Sequence, residues 1–298
     1  MGVMLAEDPI LNLLLFVVLL FGLTIVLDLL FKEVSHRHGK DVLSKEDLGL
    51  MVYGVIRMYI PLSAATITIL LSSNQLFRVT EFLLKWFRID LYVILISLMA
   101  PLIPFTVTLL YIRVIGLLSL LDTSKYNEIL EKFDNRRIVA WLKILAISYI
   151  AGITVNAVVA MGEEYGWRAF LFDKLYTYIG LITAIIVSGV IWGLWHIPIV
   201  VLLKFKTEFH EPVISSIQYI LFCLILAIPE SILLMKTNSI LPVAVFHGSI
   251  NAIWRITEPL TKITNGNKTT TILCASMVSL LLWLIVSVFF TIILWQLT

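Results

Sequence analysis

The sequence predicts an all-α, polytopic membrane protein, with about eight transmembrane helices around an intramembrane polar cavity. Three observations predict it. Of 298 residues, 60% are hydrophobic and 14% charged, against about 25% charged in an ordinary soluble domain. Mean hydropathy is +0.99, too apolar for a surface in water. The apolar runs continue without alternation over lengths that match a helix crossing hydrocarbon, about 20 residues, whereas barrel strands alternate over about 10. A soluble enzyme, an extracellular disulfide module, a disordered regulator and a β-barrel are therefore excluded. The formal charge is +2, so no nucleic acid or other polyanion is implied as a partner. The partner is the lipid bilayer, and the chain reads as one integral, multi-pass domain over 1–298, in the cell membrane if the host is prokaryotic.

The elements follow in order. Spans are placed near 10–31, 48–72, 91–119, 141–161, 179–203, 213–235, 238–256 and 271–297. The first is preceded by Glu7 and Asp8 and no basic residue, so it reads as a retained span rather than a cleaved signal. The third holds Pro101 and Pro104 and is either one kinked helix or a broken pair. Between the fourth and fifth, 162–178 is too polar to cross and too apolar to float, and reads as a helix dipping into the membrane from one side.

Two connections read as helices lying in the interface, because apolar and basic residues alternate at helical spacing. In 120–140 these are Tyr126, Ile129, Leu130, Phe133 and Arg137, with Lys125, Glu128, Lys132 and Arg136 around them. In 76–88 they are Phe77, Phe82, Trp86 and Phe87 among Arg78, Lys85 and Arg88. A surface linker is favoured over a binding role for both. With the N-terminus outside, inside connections hold fourteen Lys and Arg and outside ones six, which favours both termini outside. Cys223 and Cys274 lie in apolar runs, where a thiol acts as a small hydrophobe.

Ionisable residues at membrane depth cost about 2.5–3.5 kcal/mol on the insertion scale, so each is a candidate. Glu163, Glu164 and Arg168 stand in G-E-E-Y-G-W-R. Glu164 and Arg168 are four apart, acid first, the favourable order for a helical ion pair. Glu163 lies about a quarter-turn away on the helix, which leaves it for proton chemistry. His196 stands in W-G-L-W-H-I-P, with Trp192 one turn earlier. Alone it reads as a satisfied core histidine. His247 and Asn251 stand in F-H-G-S-I-N, on one helix face, and read equally as a polar pocket or as interhelical glue. Together, acid, imidazole and amide groups on three helices can activate water and hold an oxyanion: a hydrolase built inside a membrane.

Other polar residues carry less. Asn156 orients Glu163 or, more simply, packs between helices. Glu230, after Pro229, lines the same cavity or sits near a helix end. Asp28 reads as a span-end residue that snorkels, and Arg57 and Arg113 receive no role. His36, His38 and His210 read as solvated loop residues, and Asn267-Lys268-Thr269 matches a glycosylation sequon.

The three segments resemble the CPBP family of CAAX proteases and bacteriocin-processing or immunity proteins. Its pattern is E-E-x-x-x-R, then an aromatic (commonly Phe) and a His with three residues between them, then a His and an Asn or small residue with three residues between them. Glu163 to Arg168, Trp192 to His196 and His247 to Asn251 match it in order and spacing, with Trp192 in place of Phe. The resemblance covers about 141–256, the motif-bearing protease core. It implies an eight-helix fold with a conical cavity and an intramembrane endopeptidase; the best-studied branch of the family is the Ras-converting endopeptidase, which removes three residues after a prenylated cysteine. By resemblance, Glu163 activates water with His196 assisting. His247 and Asn251 hold the oxyanion, and Glu164 and Arg168 support the site. Family names often say metalloprotease, yet no H-E-x-x-H occurs. The competing readings are a glutamate-dependent, metal-free site and a Zn2+ site on Glu163, His196 and His247. The substrate is a peptide or a lipidated protein. A bacteriocin-immunity or scaffold protein that binds peptide or lipid in the same cavity is the alternative. A proton-relay transporter is weaker, because the spans show no repeat.

Overall fold

The computed structural model describes residues 9–37, 48–73, 75–120, 123–203, 212–257 and 268–296. His38, His210, Asn267 and the side chain of His36 lie outside the described residues. All regular structure among the described residues is helical: α1 (Pro9–Arg37), α2 (Leu48–Ser73), α3 (Leu76–Lys85), α4 (Leu91–Met99), α5 (Leu102–Leu117), α6 (Thr123–Phe133), α7 (Arg137–Ile153), α8 (Val155–Glu164), a π-helical turn (Tyr165–Phe172), α9 (Asp173–Ile179), α10 (Leu181–Trp195), α11 (Ile197–Leu203), α12 (Pro212–Thr237), α13 (Ile240–Thr257) and α14 (Lys268–Gln296). The protein is an all-α, multi-pass integral membrane protein.

Among the described residues, six helices are long and apolar enough to cross, or seven if the bent pair Arg137–Ile153 and Val155–Ile179 is one span. The third expected span is a single one over Leu91–Leu117, with α4 passing into α5 at Ala100 and Pro101, and with Pro104 in the first turn of α5. Asp90 starts it, accepting the Val93 N–H at 2.9 Å as an N-cap does. The expected seventh span is α13. It carries His247, Ser249, Asn251 and Arg255 along 18 residues, which lowers its apolarity below that of the other spans. The helix breaks at Thr154, with a 48° bend, and not at Gly162, where the sequence placed the start of a re-entrant segment. From Val155 to Ile179 the chain stays helical. The lipid-facing surface is plain on α14, where Met277, Leu281, Ile285, Phe289 and Ile292 are exposed. Cys274 is also exposed on this helix, while Cys223 is buried.

The chain groups into two compact units, one of 1–88 with 161–227 and the other of 89–160 with 228–298. In the first, α2 packs against α1 and against the π-helical turn. Glycines permit the second contact. A Cβ at Gly162 would lie 2.6 Å from the Met58 carbonyl oxygen, and one at Gly166 would run into Pro61. This G-x-x-x-G spacing is the close-approach motif of membrane helices. Gly180, at φ +75°, ends α9 and lets α10 turn back against it. The amphipathic α3 buries Val79 and sets Phe82 edge-on to Tyr165 and Phe170, at 5.9 and 6.1 Å.

Asp28 does not snorkel. It is fully buried, accepting from the Tyr53 hydroxyl at 2.7 Å and pairing with Arg57 at 3.1 Å. A neighbouring helix supplies both partners, so the carboxylate has no need to reach water.

In the second unit, α13 is the central helix, packed against α7, α4 and α5, while α14 lies on α5. A Cβ at Gly248 would lie 2.6 Å from the Ala157 nitrogen and 2.7 Å from the Asn156 carbonyl carbon, so α13 and α8 meet backbone to backbone. The interfacial α6 packs Leu130, Tyr126 and Phe133 onto α7, with the Trp141 indole donating to the Tyr126 hydroxyl at 3.0 Å. It ends at Phe133 rather than running to Arg137. Asp134 makes the turn, accepting the Arg136 N–H at 3.0 Å and the Lys143 ammonium at 3.0 Å.

Candidate active site

Glu163 stands in the last turn of α8 and Glu164 ends it. The chain then winds into the π-helical turn, a wider coil often found at functional sites. All three charged residues of the motif are buried, Glu163 at 3% exposure, Glu164 at 0% and Arg168 at 2%. Arg168 pairs with Glu164 at 3.1 Å, and its guanidinium carbon lies 4.1 Å from the Trp192 ring centroid. Glu163 takes different partners. Its Oε2 accepts the Trp192 indole N–H at 2.9 Å and the Trp167 indole N–H at 3.3 Å. The two adjacent carboxylates are thus sorted by chemistry: one is neutralised by a cation, the other oriented by two neutral donors.

His196 follows the last residue of α10 and is half-buried. Its Nδ1 lies 3.0 Å from the Trp192 carbonyl oxygen and 3.7 Å from Cys223 Sγ. A carbonyl oxygen only accepts, which assigns the proton to Nδ1 and the lone pair to Nε2 in the neutral ring. Tyr219 stacks on the imidazole at 5.2 Å and 15°, and Trp195 meets it edge-on at 4.9 Å. Glu163, Glu164, Arg168 and His196 all belong to the first unit.

His247 and Asn251 belong to the second unit, one turn apart on α13. His247 is buried and Asn251 half-buried. A carboxylate oxygen of Glu230 and a ring nitrogen of His247 lie within 4.8 Å of each other. Glu230 is fully buried in α12, well inside the helix rather than near its end.

Toward the Zn2+ reading, Glu163 Oε2 is occupied by two indole N–H donors, while His196, with Nδ1 on a carbonyl, keeps on Nε2 the lone pair that a metal ligand uses. No step below is routed through a metal.

Trp167 and Cys223 escaped the sequence reading of the site, while Trp192 and Glu230 were noted there without their partners. Trp167 is inside the first motif, and four positions after Glu163 was the available signal. Trp192 was read as a generic aromatic, although only Trp brings an N–H. Cys223 and Glu230 come from α12, and nothing in their local sequence points to His196 or His247.

The comparisons bear on the same segments. Residues 143–253 match the family described as Type II CAAX prenyl endopeptidase Rce1-like. A curated relative, the CAAX prenyl protease 2 of Methanococcus maripaludis, is 31% identical over 109 residues, which cover 36% of this chain and 39% of the relative. The chain therefore spans about two fifths of that relative's length. All three motifs lie within the matched residues. Over 143–253 this chain is similar to the Type II CAAX prenyl endopeptidase Rce1-like family.

Proposed function

We propose that the protein is an intramembrane endopeptidase of CAAX type, acting on a peptide carried by a prenylated cysteine. The observation that carries this reading is the sorting of the two acids. Glu164 is held by Arg168, while Glu163 is oriented by the indole N–H groups of Trp192 and Trp167. A carboxylate so held can take a proton from water. His196 assists through Nε2, the nitrogen that its hydrogen bond to the Trp192 carbonyl leaves with the lone pair.

The reaction balances without a cofactor. Water gives its proton to Glu163, and its oxygen attacks the scissile carbonyl. His247 and Asn251 donate to the oxyanion. The tetrahedral intermediate collapses, the C–N bond breaks, and the proton held by Glu163 passes to the leaving amine. Glu164 and Arg168 hold the helix that presents Glu163.

The test is cleavage of a quenched peptide, with a farnesylated cysteine followed by three residues, by the purified full-length protein. Glu163→Gln keeps the shape and removes the base, so turnover should fall by about 10²- to 10⁴-fold with the yield unchanged. Wild-type activity should survive a strong chelator. A Gln variant that cuts at the wild-type rate removes Glu163 from its role.

A further inference from the structure

The first unit contains a second charged group that the catalytic reading does not use. Asp28 and Arg57 pair inside it, with side-chain exposures of 0% and 5%. We propose that Thr24, Asp28 and Arg57 form a clamp that positions His196 by gripping the end of α10. The proposal rests on the reading of His196 as a catalytic group.

The grip falls on Trp195, the residue bonded directly to His196. Arg57 Nη2 donates to the Trp195 carbonyl oxygen at 2.8 Å. The guanidinium carbon lies 3.9 Å from the Trp195 ring centroid. On the other side, Trp195 Nε1 donates to Thr24 Oγ1 at 2.7 Å. Backbone and ring of one residue are thereby fixed to two helices, α1 and α2.

The helix end needs such a partner. Its last carbonyls look for donors beyond the helix, and Arg57 supplies one to Trp195. A cation at a helix C-terminus also meets the negative end of the dipole. Asp28 in turn fixes the cation: Arg57 Nε donates to Oδ1 at 3.1 Å and Nη2 reaches Oδ2 at 3.5 Å. The Tyr53 hydroxyl donates to the same Oδ1 at 2.7 Å. Thr24 with Asp28, and Tyr53 with Arg57, are each four apart and share a helix face. Two helices therefore present matched polar edges to the end of a third.

Stability is a weak reason for such a pair, because a buried ion pair is often no better than apolar packing of the same volume. Position is the better reason. The His196 ring is set by Trp195 at 4.9 Å, by Tyr219 at 5.2 Å and by its bond to the Trp192 carbonyl. Release of Trp195 loosens the backbone that carries the imidazole.

The experiment compares Arg57→Gln, Arg57→Lys and Thr24→Val with wild type on the farnesylated peptide. Trp86→Leu, a buried change on the far end of α3, controls for lost stability. Arg57→Gln should lower kcat per folded molecule by about tenfold to a hundredfold with KM nearly unchanged. Arg57→Lys should restore the larger part. Thr24→Val, which removes one hydroxyl only, should give a smaller loss in the same direction and stands in if Arg57→Gln does not fold. Trp86→Leu should lower Tm and leave kcat per folded molecule intact. Wild-type kcat in both Arg57→Gln and Thr24→Val overturns the clamp. If wild type does not cut the peptide, the functional reading fails by itself. The clamp is then read from the rate at which diethyl pyrocarbonate modifies His196, measured by mass spectrometry. Arg57→Gln should raise that rate severalfold, and an unchanged rate overturns the proposal.

Discussion

The Trp192 indole N–H donates to Glu163 Oε2 at 2.9 Å, and the same ring lies under the Arg168 guanidinium. The one departure from the family pattern therefore joins both halves of the first motif. Phe at this position would keep the ring and lose the donor. A hydrogen bond to a charged acceptor contributes about 1.5–3 kcal/mol. Trp192→Phe should lower kcat by about tenfold, while Trp167 still holds the carboxylate. Steady-state kinetics on the farnesylated peptide check this, and an unchanged kcat would show that the bond does not orient Glu163.

Glu164 and Arg168 should behave as a coupled pair. Breaking a buried pair strands the remaining charge, at about 3–5 kcal/mol. Glu164→Gln and Arg168→Met should each lower Tm, and the double change should cost less than the two together. A double-mutant cycle measures the coupling. Strict additivity would mean that the 3.1 Å contact contributes no coupling.

Asn251 separates catalysis from packing. If it donates to the oxyanion, Asn251→Ala should depress kcat by about 10²- to 10³-fold with little change in KM. His247→Ala should be at least as severe. Tm and kcat measured on one preparation decide the matter. Lower Tm with kcat per folded molecule intact would make Asn251 an interhelical contact.

Asp134, in the turn between α6 and α7, is held near a pKa of about 2 by the Arg136 N–H and then by Lys143. Its folded value lies below the ordinary carboxylate value, so its contribution to stability is present above about pH 4. That contribution is lost as pH falls toward 2. Thermal unfolding in detergent across that window should show a steeper acid loss in wild type than in Asp134→Asn. Parallel curves would mean that the turn does not depend on the charge.

The sequence by itself determined the class of the protein and the ingredients of its chemistry. Continuous apolar runs leave helices as the only way to satisfy the backbone in lipid, and composition reads that directly. The three motifs were legible because helical spacing is local: Glu164 and Arg168 meet one turn apart, and His247 and Asn251 share a face for the same reason. Tertiary structure decided what each group touches. Asp28 sits near the end of an apolar run, where its cheapest local option is to snorkel, and only α2, arriving with Tyr53 and Arg57, makes its burial possible. Trp192 reaches Glu163 across 29 positions, and Trp195 reaches Thr24 across 171. No periodicity encodes such pairings, because they depend on which helices pack together and at what register. In lipid that choice follows from small residues such as Gly162 and Gly166 and from buried hydrogen bonds, not from the apolar pattern that announces the spans.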